Sequence, residues 1–188
     1  MELPDFNLDG LLPPGDYEMT LDDLKVSVLV DSPGERYPNW DSGRRLRLVE
    51  NLETMVGQLW EVGVTGIFVD GSFVEDKDHP GDIDGYFECE VLDIATGRLQ
   101  RELNELDAHK VWTWDPGSRR PYKNQPKRQL PMWHRYRVEL YPHYVDMELE
   151  SQGSGIWDEF GNDLPFPAAF RKSRREHKPK GIVKVVGR

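Results

Sequence analysis

Apolar residues recur along this chain with two different periods. Between about Arg44 and Val62 they fall at Leu48, Val49, Leu52, Met55, Val56, Leu59 and Trp60. That is the spacing of an amphipathic helix, and Gly63 is placed as its C-terminal stop. The run Gly66-Ile-Phe-Val-Asp70 reads as a buried strand that ends in Gly71-Ser72. From Asp82 to Leu92 the period drops to two, with Ile83, Phe87, Cys89 and Val91 on one face and Asp82, Asp84, Tyr86, Glu88 and Glu90 on the other. Residues 93–110 suit a helix with Leu99, Leu103 and Leu106 inward. Two strand-like runs parted by Pro142 occupy 133–149, and Gly181-Ile-Val-Lys-Val-Val186 suits a last strand. Thr20-Leu-Asp-Asp carries a capping pattern for a short helix. Residues 1–20 read as an extended lead-in, and 31–43, 112–131 and 151–167 as loops. The order of elements predicts an α+β fold, a mixed β-sheet flanked by helices in a single domain with a long basic loop.

Composition narrows the class. The chain has 188 residues, of which 37% are hydrophobic and 11% aromatic, enough to bury a core and too aromatic for a disordered chain. No apolar run approaches the roughly 18–20 residues that cross a bilayer. The acidic start lacks the basic and apolar regions of a signal peptide. The single cysteine, Cys89, excludes an intrachain disulfide; on its apolar strand face it reads as a small core residue. A cytoplasmic protein without membrane contact is the expectation.

The net charge of −10, taken in bulk, speaks against a nucleic-acid partner. Its distribution does not. Residues 1–109 and 138–170 are acidic, whereas 110–137 and 171–188 each carry a net charge of +7, with 8 basic residues against one acid. In 110–137, Arg119, Arg120, Lys123, Lys127 and Arg128 interleave with Trp112, Trp114, Tyr122 and Trp133, as a single-stranded nucleic acid would require. The alternative is an exposed proline-rich loop whose tryptophans tuck into the core. In the tail, Arg171, Lys172, Arg174 and Arg175 could meet an RNA backbone, a triphosphate or the acidic half of the protein itself.

The candidate chemistry lies in Asp70-Gly-Ser-Phe-Val-Glu-Asp-Lys-Asp-His-Pro-Gly-Asp-Ile-Asp84. Asp82 and Asp84, two apart on a strand, project from one face and can converge on a divalent ion. Carboxylates with phosphate oxygens suit Mg²⁺ or Mn²⁺. Gly71 permits close backbone approach, and the Ser72 hydroxyl can hold a phosphate. An acidic pair beside a phosphate cradle makes sense only with a cation between them. The bland alternative is a strand with outward acids next to a turn. Lys77 could reach a phosphate or be solvated, and His79 reads as a loop residue.

An apolar strand, Gly-Ser, a nine-residue spacer and Asp-Ile-Asp together resemble the DNA polymerase beta-like nucleotidyltransferase superfamily. Gly71, Ser72, Asp82, Ile83 and Asp84 fit its pattern; Gly85 stands where a larger apolar residue is usual, which would weaken strand packing. Leu12-Pro-Pro-Gly15, Asp70-Gly-Ser-Phe-Val74 and Lys180-Gly-Ile-Val-Lys184 extend the likeness to a family of small nucleotidyltransferase-like proteins from bacteria and phages. The resemblance implies one nucleotidyltransferase-like domain over 1–188, with a lead-in and loop over 1–43, a catalytic core over 44–150 and a basic extension over 151–188. It implies two Mg²⁺ or Mn²⁺ ions on Asp82, Asp84 and a third carboxylate. For that third acid Asp146 is preferred to Glu148, because it is centred in Tyr144-Val-Asp-Met-Glu148. Asp146 would then serve as general base or its metal-mediated equivalent, and Gly71, Ser72 and Lys77 would bind the nucleotide. The implied reaction moves a nucleoside monophosphate from an NTP to an RNA, tRNA-like, or to a protein hydroxyl, in a toxin–antitoxin or phage-defence setting. RNA or a partner protein would use 110–137 and 171–188. The competing expectations are a non-catalytic binding module with the same fold and a stand-alone nucleotide binder.

Overall fold

The structure is a computed structural model and describes residues 3–123, 125–145 and 153–187. Its centre is a five-stranded sheet in the order β1 (Asp16–Met19), β9 (Ile182–Val185), β2 (Ile67–Asp70), β3 (Ile83–Cys89), β6 (Val138–Tyr144). The outer pairs β1–β9 and β3–β6 are parallel, and the two inner pairings are antiparallel. The expected α+β class and mixed sheet are therefore present.

The long amphipathic pattern forms α2 (Ser42–Glu61), capped by Asp41, whose side chain accepts from Arg44 N. It closes in a Schellman motif. Gly63 N–H donates to Trp60 O, Val64 N–H donates to Leu59 O, and Gly63 takes φ +87°. The buried stripe of α2 covers one face of the sheet, against Ile67, Val69, Phe87 and Val183. The opposite face carries a smaller aromatic cluster, Phe68, Tyr86, Phe166 and Phe170. Thr20 caps α1 (Leu21–Lys25) as its sequence pattern predicts.

Several expectations are corrected. The alternating strand stops at Cys89 and turns into α3 (Val91–Ala95). A left-handed Gly97 then separates α3 from α4 (Arg98–Leu106). Leu99 and Leu103 face inward, while Leu106 is exposed. The expected loop 112–131 contains a hairpin, β4 (Arg120–Tyr122) with β5 (Gln125–Gln129), followed by α5 (Pro131–Tyr136). Trp112 is fully buried and donates to Gln58 Oε1, and Trp114 donates to Leu140 O, so these two rings belong to the core. Residues 153–169 form a second hairpin, β7 (Gly153–Trp157) with β8 (Asp163–Pro165), and α6 (Phe166–Ala169). Pro142 lies within β6, where its missing N–H is harmless because the strand is at the sheet edge. Gly85 does not loosen the sheet. A Cβ there would stand 2.4 Å from Phe68 O and 2.8 Å from Leu140 Cδ2, so the neighbouring strands approach where only glycine fits. Among the described residues no helix is long and apolar enough to cross a membrane.

Candidate functional site

Strand register assembles the site. Asp70 on β2 lies opposite Asp84 on β3, and Asp84 lies opposite Glu139 on β6. The period of two puts these three carboxyl groups in a row on the sheet face away from α2. Asp82 immediately precedes β3, with the same parity as Asp84, and its Oδ2 accepts from Trp133 Nε1 at 2.5 Å. Asp82 and Asp84 are thus brought together as their spacing predicts. Burial pushes the Asp84 carboxyl up to about 7, with Asp82 and Glu139 adding to the rise and Lys127 opposing it. Among the described residues nothing donates a hydrogen bond to Asp84, which leaves its oxygens free for a ligand.

Glu139 is the acid that sequence reasoning missed. It is fully buried; Oε1 accepts from Leu130 N at 3.0 Å, Oε2 accepts from the Tyr141 hydroxyl at 2.5 Å, and Arg119 Nη1 stands 3.6 Å from Oε1. Burial and the adjacent Glu139 carboxylate together hold the Tyr141 phenol well above its ordinary range. Asp146 and Glu148, the acids preferred from sequence, lie outside the described residues. Tyr144, the last residue of β6, is already paired with Cys89, at the far end of β3 from Asp84.

Gly71 takes φ +77°, and a Cβ on it would stand 2.8 Å from Asp84 Oδ2. Only glycine therefore lets the turn after β2 close against this carboxylate. The following 3₁₀ turn, Gly71–Val74, presents Ser72 half-buried, without a hydrogen bond from its hydroxyl to the described residues. Beneath it Lys180, 3% exposed, stands 3.1 Å from Asp70 Oδ1 and 2.7 Å from Glu75 Oε1, and donates to Gly71 O. Burial opposes its charge, but Asp70 and Glu75 outweigh that and hold the ammonium above its usual range.

The loop between the two halves of the motif is fixed from α2. Arg45 is fully buried under the Trp40 ring at 3.7 Å. Its guanidinium donates to Leu29 O, Phe73 O, Glu75 O and Lys77 O. Burial lowers its pKa to about 9, against Asp78 and Asp76. The signal for it was present, since Arg45 continues the Leu48, Leu52, Met55 stripe by one turn. Lys77 is exposed and contributes only its carbonyl. His79 is exposed and faces the cap residue Asp41 at 3.4 Å. Cys89 is buried, which pushes its thiol up to about 12 and makes it inert.

The two basic segments diverge. In the tail, Arg171 pairs with Asp16, Lys178 with Asp9, Lys180 with Asp70, and Lys184 with Glu18. In the hairpin segment Arg119 reaches Glu139; Arg120, Lys123, Lys127, Arg128 and Arg137 make no ion pair among the described residues. Lys127 lies close enough to act on Asp84, so the hairpin borders the acids.

Residues 4–186 match the Family of unknown function (DUF6932). The chain belongs to DUF6932. No curated protein and no solved structure matches it. What the DUF6932 fold can do chemically therefore rests on the donor set. Among the described residues no three acid, His or Cys side chains form a ready-made metal cage. Mg²⁺ does not need one, because it is usually bound through one or two carboxylates and completed by water and substrate phosphates. Asp82 and Asp84 are a donor set of that kind, and the free Asp84 oxygens fit it.

Proposed function

We propose that this protein is a metal-dependent nucleotidyltransferase of the DNA polymerase beta-like superfamily. The observation that supports it best is the Asp84 carboxylate. It is half-buried between Asp82 and Glu139, closed over by Gly71 and without a hydrogen-bond donor among the described residues. A half-buried acid flanked by two others is poorly accommodated until a cation reaches it. Asp82 and Asp84 would hold Mg²⁺ or Mn²⁺, and a bound ion there would lower the pKa of an acceptor hydroxyl and neutralise triphosphate charge. Glu139, clamped by Leu130 N–H and the Tyr141 hydroxyl, fixes the field around Asp84 and is the third acid of this reading. The Gly71–Val74 turn offers backbone N–H groups and the Ser72 hydroxyl to the phosphates. Lys180 and Arg45 position that turn from below. The donor is an NTP, and the acceptor is an RNA or protein hydroxyl on the hairpin side.

The test is incubation with each α-labelled NTP, Mg²⁺ or Mn²⁺, total RNA and lysate protein. Label should appear on a macromolecule and disappear with Asp82→Ala or Asp84→Ala, the latter at unchanged melting temperature or higher. One observation favours a second reading, a non-catalytic binding module: the Glu139 oxygens and Asp82 Oδ2 are already hydrogen-bonded. Absence of transfer together with absence of metal-dependent NTP binding selects that module.

A further inference from the structure

Beside Gly81 and Trp133 lies a cavity of about 290 Å³ lined chiefly by Arg44, Arg47, Asn51, Tyr122, Trp133 and Arg137. Three arginines and no carboxylate are among its lining residues. Arg44 is fixed by donating to Pro80 O at 2.6 Å and Gly81 O at 3.2 Å. Arg47 is exposed and makes no hydrogen bond to the described residues; the nearby acid is the cap residue Asp41, held low by Arg44 N–H, His79 and Arg47. Arg137 lies over the Trp133 ring at 3.8 Å and the Tyr122 ring at 4.2 Å, and it forms no ion pair among the described residues.

The backbone makes this arrangement specific. Arg137 sits at φ 56°, a left-handed position after α5 where glycine is ordinarily found. Its carbonyl accepts from Ile83 N at 2.9 Å, so the residue is pinned to the strand between Asp82 and Asp84. A strained, ring-stacked arginine beside two others is repulsive unless an anion joins them. Planar guanidinium forks match phosphate oxygens bidentately. The volume suits a phosphate with part of its sugar better than a whole nucleoside triphosphate.

From this geometry we propose that the Arg44–Arg47–Arg137 cavity binds a phosphate group of a nucleotide or oligonucleotide and holds it next to the Asp82–Asp84 pair. The use of such binding, to seat the acceptor strand, rests on the transferase reading; the binding itself does not. The test is fluorescence anisotropy of the full chain with a fluorescein-labelled single-stranded 12-nucleotide RNA, in EDTA and low salt, with ATP and AMP as competitors. EDTA removes any contribution from metal held by the acids.

Arg47→Ala and Arg137→Gly should each weaken RNA binding about tenfold, the value of one charge-assisted hydrogen bond. Arg137→Gly suits the backbone and should melt no lower than the natural chain, so its loss of binding cannot come from unfolding. Arg175→Ala in the tail should change binding less than about twofold, and Asp84→Asn should retain it. Displacement by AMP and ATP at the affinity of the RNA assigns the cavity to a mononucleotide phosphate; displacement by unlabelled RNA alone assigns it to the strand. Both results support the cavity. Unchanged binding in Arg47→Ala and Arg137→Gly, or no binding of RNA, AMP or ATP by the natural chain, overturns it. Arginine-dependent binding without label transfer would leave the cavity standing and remove the transferase reading.

Discussion

Two segments of this chain carry the same net charge of +7 and do opposite things. The tail turns inward: Arg171, Lys178, Lys180 and Lys184 each meet an acid from the first half of the chain. The hairpin segment keeps Arg120, Lys123, Lys127 and Arg128 clear of ion pairs among the described residues, and it borders a row of carboxylates. Those four tail charges therefore close the fold, and the unpaired charge on the hairpin is available to a ligand. A count of basic residues does not separate these cases; the position of the partner acids does.

The largest effect should come from the most buried tail cation. Lys180→Met leaves Asp70 and Glu75 without their ammonium and should cost about 3–5 kcal/mol in urea unfolding. A loss below 1 kcal/mol would break the contrast, because Lys180 would then be no more structural than a hairpin lysine.

The response to pH follows the row of acids rather than this contrast, since burial pushes the Asp70 carboxyl up to about 7 even with Lys180 beside it. The Asp84 carboxyl is held at about 7 in the folded chain, well above the ordinary carboxylate range of about 4. Between these values the folded chain holds the proton that the unfolded chain has lost. Its contribution to stability therefore falls as pH rises and is least favourable above 7. Asp84→Asn removes that charge and should melt higher than the natural chain at pH 8, by on the order of 2 kcal/mol, with the gap closing toward pH 4. A gap that widens on acidification would reverse the assignment.

Smaller effects separate the exposed members. Arg171→Ala loses Asp16, the Tyr86 hydroxyl and Pro167 O and should lower stability by about 1 kcal/mol. Arg128→Ala and Lys127→Ala should change stability by less than about 0.5 kcal/mol. Both should flatten the salt dependence of RNA binding, each by roughly one unit of log–log slope. Urea titrations on all five variants, and a salt series on Arg128→Ala and Lys127→Ala, check the whole ordering.

Much of this layout was legible in the sequence where periodicity and local chemistry agree. The stripe of α2, the Thr20 cap, the apolar β2, the last strand and the Asp82–Asp84 pair all follow from local pattern. The β4–β5 hairpin was not, because Pro121, Pro126 and a run of charges break the alternation that marks a strand. Lys123 also turns the chain with φ 51°, where a glycine or asparagine would have signalled the turn. Glu139 reads locally as a solvent-facing acid in an edge strand; its burial comes from Leu130, Tyr141 and Arg119, contacts no local pattern contains. Gly85 looked like a flaw in a strand and is a requirement of close packing against Phe68 O. Even Arg45, which lies on the helix stripe, takes its meaning from carbonyls up to 32 residues away in sequence.

The central claim is that Asp84 and its neighbours form a metal-dependent nucleotide site. It is tested most directly by electron paramagnetic resonance titration of Mn²⁺ against the full chain, with and without ATP. The account predicts that bound Mn²⁺ appears with ATP in the natural chain and is lost in Asp84→Asn and Asp82→Asn. Equal Mn²⁺ binding by the natural chain and Asp84→Asn, or none by either in the presence of ATP, would contradict it.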